Sequence, residues 1–256
     1  MSSGDFVWYD VMTTDVEGAE RFYAAVVGWT MQDSGMPGQR YTLISDGKRL
    51  VGGIMPVPAE AEGVPPMWMG YIGVSDLDAK ARQLGELGGM VQRGPQDIPG
   101  VGRFCIVSDP QGAGFILFEP APGSARDALP LMAEKTIGWR ELHAESMPEA
   151  FAFYEKLFGW RKVEAHDMGP FVYQTFATGG AIAAGGMMTR MPDTPHPFWA
   201  YYISVSDIDA AVERALAHGG SRMMDIHEVP GGSWICPMVD PQGAHFSLIG
   251  PRGRTQ

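Results

Sequence analysis

The sequence predicts an α+β chain of four βαβββ modules, arranged as two tandem halves of two modules each. Two observations within the sequence carry this. The pentapeptide Asp109-Pro110-Gln111-Gly112-Ala113 returns as Asp240-Pro241-Gln242-Gly243-Ala244, 131 residues later. The same spacing takes Trp8 to Trp139, Phe22-Tyr23 to Phe153-Tyr154, Trp68 to Trp199, Val74-Ser75-Asp76 to Val205-Ser206-Asp207 and Cys105 to Cys236. One offset held over most of a chain marks tandem duplication. The second observation is that a strand–helix–strands pattern occurs twice inside each half.

The elements follow in order. Phe6–Met12 alternates as a strand does, and Asp15 behind it suits a helix N-cap, since its carboxylate accepts free amides of a first turn. Ala19, Phe22, Tyr23 and Val26 then fall on one helical face. In the second half Ser146 and Glu149 have capping-box spacing, with Pro148 in the first turn. Strands are expected around Arg40–Ile44 and Leu50–Met55, the latter carrying Gly52-Gly53, where a bulge or a close approach is expected. The pattern restarts with a strand at Met69–Val74, a helix over Asp76–Leu87 and a Gly88-Gly89 stop. In the matching helix of the second half, Ile208, Ala211, Val212, Ala215 and Leu216 share a face. Strands at Arg103–Val107 and Gly114–Phe118 close the half, joined by Asp109-Pro110-Gln111-Gly112, whose residue types suit a type I turn. The Pro- and Gly-bearing stretch Ala121–Thr136 reads as the connection. This gives a first domain over 1–122, a linker over 123–136 and a second domain over 137–256.

The 256 residues suffice for two domains, and 45% hydrophobic content gives each a core. A formal charge of −11 has the wrong sign for nonspecific nucleic-acid or anionic-membrane binding, and is compatible with a cationic ligand. Two cysteines form no disulfide framework, and Cys105 and Cys236 read as small buried thiols. No signal peptide and no membrane span is read, so a cytoplasmic protein is expected.

A strand, an Asp and a helix ending in Phe-Tyr…Gly-Trp, with a later Gly-Arg-Phe…Asp-Pro-Gln-Gly-Ala-x-Phe, resemble the glyoxalase/bleomycin resistance protein/dioxygenase superfamily, the vicinal oxygen chelate fold. The likeness covers roughly 6–120 and 137–251 and is greatest to two-domain actinobacterial members of hydroxylase-like type. It implies two cup-shaped domains in tandem. Pairing stays open: each half closes its own cup, or modules pair crosswise inside a monomer, or a homodimer forms. In metal-using members, ligands come from three strand positions. The resemblance places them here at Trp8, Met69 and Ile116, and at Trp139, Ala200 and Ser247. None suits a divalent ion, which takes imidazole or carboxylate. No metal and no other cofactor is therefore expected.

Strand alternation extends those positions into an expected ligand-binding lining: Trp8 with Asp10 and Met12, Met69 with Tyr71, Ile116 with Phe118, Trp139 with Glu141 and His143, Ala200 with Tyr202 and Ser204, and Ser247 with His245. All six histidines lie in the second half, so the two cups differ chemically. The first expectation is a metal-independent protein binding an apolar or aromatic small molecule. The second is an enzyme, a lyase, isomerase or dioxygenase-like member, with Glu141, His143 and His245 as its acid–base set. The third is a non-catalytic interaction scaffold. Glyoxalase chemistry is the least supported, because it needs the metal.

Overall fold

In a computed structural model, residues 4–61, 63–124 and 130–253 are described. The first module runs β1 (Phe6–Thr13), α1 (Val16–Val27), β2 (Thr30–Asp33), β3 (Thr42–Ser45) and β4 (Leu50–Pro56). The second runs β5 (Met67–Gly73), α2 (Leu77–Glu86), β6 (Met90–Ile98), β7 (Gly102–Ser108) and β8 (Gly114–Pro120). The third runs β9 (Ile137–Ala144), α3 (Met147–Phe158), β10 (Arg161–Asp167), β11 (Val172–Ala177) and β12 (Gly185–Thr189). The fourth runs β13 (Phe198–Ser204), α4 (Ile208–Ala217), β14 (Ser221–Arg222), β15 (His227–Glu228), β16 (Trp234–Val239) and β17 (His245–Gly250). The α+β, four-module expectation thus holds. Strand order is β2-β3-β4-β1-β5-β8-β7-β6 in the first half and β10-β11-β12-β9-β13-β17-β16-β14 in the second. No helix among the described residues is long and apolar enough to cross a membrane.

The chain gathers into two compact units that do not follow the halves. Unit 1 holds Met1–Trp8, Met69–Ala128 and Arg140–Trp199, so it takes the second module and the third. Unit 2 holds Tyr9–Trp68, Leu129–Trp139 and Ala200–Gln256, so it takes the first module and the fourth. Residues 125–129 of the expected linker lie outside the described residues.

Each unit is locked by the same buried clasp. In unit 1, Tyr154 on α3 donates its hydroxyl to Asp109 Oδ2 (3.1 Å), and Trp199 Nε1 donates to that hydroxyl (3.1 Å). In unit 2, Tyr23 on α1 donates to Asp240 Oδ2 (2.9 Å), and Trp68 Nε1 donates to Tyr23 (2.9 Å). The other oxygen of each aspartate folds back on its own turn. Asp109 Oδ1 accepts from the amides of Gln111 and Ala113, and Asp240 Oδ1 from those of Gln242 and Ala244. Gly112 and Gly243 hold φ of 98° and 101°, where a Cβ would be strained. The Asp-Pro-Gln-Gly-Ala motif is thus a turn whose aspartate also anchors the helix of another module. Burial raises both carboxyls above the ordinary range, and the turn amides and the tyrosine oppose this only in part. Tyr23, fully buried beside Asp240, is raised well above the usual phenol range.

Helix ends are tied in the same crosswise manner. Gln83 on α2 donates to Lys156 O at the end of α3, and Arg214 on α4 donates to Val26 O at the end of α1. These donors satisfy carbonyls that a helix end leaves open. Around the clasp of unit 1, Trp160 lies stacked between Tyr154 (4.9 Å) and Phe176 (4.5 Å). Unit 2 packs Tyr23 against Phe22, Trp29, Trp68 and Phe246.

Some local expectations are corrected. Asp15 caps α1 by accepting from Gly18 N (2.9 Å), as read. Ser146 makes no side-chain cap bond. Gln111 of the turn instead takes Ser146 N and donates to Ser146 O, each at 3.0 Å, so a side chain from a distant turn displaces the local capping box. The strand expected at Arg40–Ile44 is Thr42–Ser45. Strands β2, β6 and β10 escaped the reading because they are mostly exposed and bury no apolar face.

Candidate functional site

The sequence-read pair Glu141 and His143 meets in unit 1. Both project from β9, and period-two alternation gives them one face. Strand β12 runs parallel beside it, with Gly186 opposite Glu141. A Cβ on Gly186 would run into the Tyr173 ring, so glycine here lets that ring cross from β11. Tyr173 donates its hydroxyl to Glu141 Oε2 (2.7 Å). His143 Nε2 sits 2.8 Å from Glu141 Oε1, with the two side chains 18% and 11% exposed. Phe198, opening β13, stacks on the imidazole at 4.5 Å and 7°. The remaining ring nitrogen, His143 Nδ1, is buried without a hydrogen-bond partner.

Unit 2 carries the first-half counterpart, with one change. Tyr41 on β3 donates to Asp10 Oδ1 (2.6 Å), and Gly53, opposite Asp10 on β4, makes room for that ring. Asp10 is buried at 2% exposure. At the place of His143 stands Met12. The tyrosine–carboxylate pair is therefore duplicated, while the imidazole is not. Sequence reading missed Tyr41, Tyr173 and Phe198. The available signal was the paired glycines, read as a close approach whose visitor went unnamed.

The other expected residues divide between the units. In unit 1, Met69, Tyr71 and Ile116 are buried and Trp8 is half-buried. Tyr71 pairs with Ile116 in register and packs edge-on to Phe118 at 6.0 Å. In unit 2, Trp139 packs with Ala200 and Val229 on the buried Tyr202, Ile235 and Ile249. Ser247 lies opposite Tyr202, and both it and Ser204 are buried. His245 opens β17, exposed, in unit 2. Glu141 and His143 come together; His245 belongs to the other unit, and its ring has no hydrogen-bond partner among the described residues. Cys105 and Cys236 are buried free thiols, and burial pushes both up, away from the thiolate.

The model of the glyoxalase/bleomycin resistance protein/dioxygenase superfamily matches residues 5–117 and again 136–248. The chain belongs to this superfamily. CFP32 of Mycobacterium bovis, provisionally named a glyoxylase, is 33% identical over 248 residues, 95% of this chain and 94% of that protein. The anthracycline biosynthesis protein DnrV of Streptomyces peucetius is 28% identical over 257 residues, 94% and 91% of the two chains. Among solved structures, the Mn(II)-bound glyoxalase of Novosphingobium aromaticivorans aligns with a TM-score of 0.66 at 15% identity, over 98% of this chain and 83% of that one. The 2,2',3-trihydroxybiphenyl 1,2-dioxygenase of Sphingomonas wittichii aligns with 0.66 at 12%, over 97% and 90%. At such identities the likeness is one of fold.

Superfamily members of the glyoxalase and dioxygenase kind raise the matter of a metal. The donor sets here do not fit one. Trp8, Met69 and Ile116 offer an indole, a thioether and an alkyl group in unit 1. Trp139, Ala200 and Ser247 offer a single hydroxyl in unit 2, with the indole packed into an apolar cluster. Among the described residues no three His, Cys, Asp or Glu side chains form a group able to hold a metal.

Proposed function

We propose that this superfamily member binds an apolar or aromatic small molecule without using a metal. The observation that carries the reading is the chemistry at the six superfamily ligand positions, where indole, thioether and alkyl groups and one hydroxyl replace imidazole and carboxylate. Such surfaces favour apolar ligands by about 25 cal/mol for each Å² removed from water. Flat aromatic side chains add stacking partners. The relation to DnrV, whose name ties it to making an anthracycline, supports a polycyclic aromatic ligand.

The test is a ligand screen by thermal shift and tryptophan fluorescence, with polycyclic aromatics, with and without EDTA. Binding should raise the melting temperature by mass action, and EDTA should change nothing. Protein purified without chelator should hold far less than one equivalent of Mn, Fe, Ni or Zn. A stoichiometric metal, or binding abolished by EDTA, refutes the reading.

The 2.8 Å contact of His143 with Glu141 favours a second reading, an enzyme of lyase, isomerase or oxygenase-like class acting on a small metabolite. Its acid–base set would be Glu141 and His143, with His245 left out because it belongs to unit 2. Loss of turnover in His143→Ala, with ligand binding retained, is its signature.

A further inference from the structure

We propose that the seam between the second and third modules, within unit 1, binds a small zwitterion with an apolar body and end charges about 10 Å apart. That is the chemistry of a tripeptide or an ω-amino acid. The inference does not depend on the aromatic-ligand reading.

A cavity of about 320 Å³ opens at this seam, at the lower end of the range for small-ligand sites. Leu87 and Pro110 line it from the second module, and Ala150 and Phe153 from α3. Two charged side chains of α3, Glu149 and Lys156, line it as well. They stand seven residues apart on the helix, about 10 Å along its axis. Among the described residues neither side chain has a hydrogen-bond or ion-pair partner.

The freedom of Glu149 has a cause. In a capping box its carboxylate would take the amide of Ser146. Gln111, which also lines the cavity, takes that amide instead, at 3.0 Å. The distant turn thus displaces the carboxylate from its local partner and leaves it on the cavity wall. The helix macrodipole favours an acid in the first turn of α3 and a base in the last. It does not explain why the repeat lacks them. At the matching places α1 has Gly18 and Ala25, and His218 stands where Leu87 does. In unit 2 Gln242 Nε2 lies 2.6 Å from where a Cβ on Gly18 would be, so the glutamine crosses a residue without a side chain. The fold is built twice and the charged pair once.

The ligand class follows from complementarity. An ammonium suits Glu149, a carboxylate suits Lys156, and hydrocarbon suits the wall between them. Three extended residues span about 10 Å, the length of the two helical turns. Ion pairs at exposed ends contribute little alone, and burial of the apolar middle adds the rest.

The test is a ligand-observed NMR titration of the full chain with the tripeptide Ala-Leu-Ala, its N-acetylated and C-amidated forms, and 8-aminooctanoate. The free tripeptide should bind saturably, and blocking either end should weaken it about threefold or more, the scale of a partly exposed ion pair. Glu149→Gln should make the free and acetylated peptides bind alike, and Lys156→Gln the free and amidated ones. Both residues are exposed, so neither change disturbs a packed core. Binding of 8-aminooctanoate equal to that of the tripeptide places recognition in the charges and hydrocarbon, and weaker binding adds the peptide groups to it; both outcomes support the zwitterion. Absence of saturable binding by both compounds, blocked peptides that bind as tightly as the free one, or variants that keep the native preference overturn the inference. The polycyclic screen judges the aromatic-ligand reading separately.

Discussion

Replacing Tyr154 with Phe removes a single oxygen from the centre of unit 1. That hydroxyl donates to Asp109 Oδ2 and accepts from Trp199 Nε1, both at 3.1 Å, and Tyr154, Asp109 and Trp199 are 0%, 3% and 6% exposed. Two losses follow. The hydrogen bond to a charged acceptor is worth about 1.5–3 kcal/mol, and the indole N–H, buried and stripped of its acceptor, costs about 1–3 kcal/mol. At that burial the two losses combine to roughly 2.5–6 kcal/mol. For a chain of this size the shift in melting temperature is on the order of 10 °C. The assay is urea unfolding followed by tryptophan fluorescence, with the midpoint and slope fitted separately. A loss below about 0.5 kcal/mol, the range of an ordinary surface substitution, refutes the assignment of the Asp-Pro-Gln-Gly-Ala aspartate as an anchor. Tyr23→Phe in unit 2 should cost a similar amount, since it breaks the same three-part arrangement.

The other predictions concern pH and the tyrosine–carboxylate pairs. Burial raises the carboxyls of Asp109 and Asp240, so protonation favours the folded state. Their contribution to stability is fully present below the unfolded value of about 4 and is lost as pH rises through the folded value. Native stability minus that of Asp109→Asn, measured by urea unfolding, should therefore increase as pH falls from neutral; a flat or opposite trend is incompatible with the raised carboxyl. Gly186→Ala drives a Cβ into the Tyr173 ring and should cost about 1–3 kcal/mol of overpacking, seen as a lower melting temperature.

The legible part of the fold was what local pattern writes down. The repeat offset, the helix capped by Asp15 and the tight turns need only neighbouring residues to form. Strands β2, β6 and β10 were illegible because an exposed strand has no apolar face to alternate. The Ser146 cap went wrong for a different reason: Gln111 is near in space and far in sequence. The candidate site was half legible. Glu141 and His143 are two residues apart on one strand, so alternation joins them. Tyr173 reaches Glu141 from 32 residues away across a glycine, a contact no periodicity encodes. The grouping of modules into units was equally hidden, since duplicated halves present near-identical partners, and the Tyr23–Asp240 bond that ties first module to fourth spans 217 residues.

Duplication also separates what the fold needs from what function needs. The most conspicuous motif, Asp-Pro-Gln-Gly-Ala, recurs unchanged because each copy carries the same load: a turn with positive φ at its glycine and a buried aspartate holding a tyrosine. A position that both copies must fill identically says little about chemistry. The Asp10–Tyr41 and Glu141–Tyr173 pairs are intermediate, alike in geometry but different by one methylene. Only where the copies part, Met12 against His143, does one half acquire a base that the other lacks. If structure alone set that position, His143→Met would lower stability, since Glu141 Oε1 loses its donor and Phe198 its stacked ring, and would change nothing else. If the imidazole serves acid–base chemistry, the same substitution also abolishes turnover while ligand binding is retained.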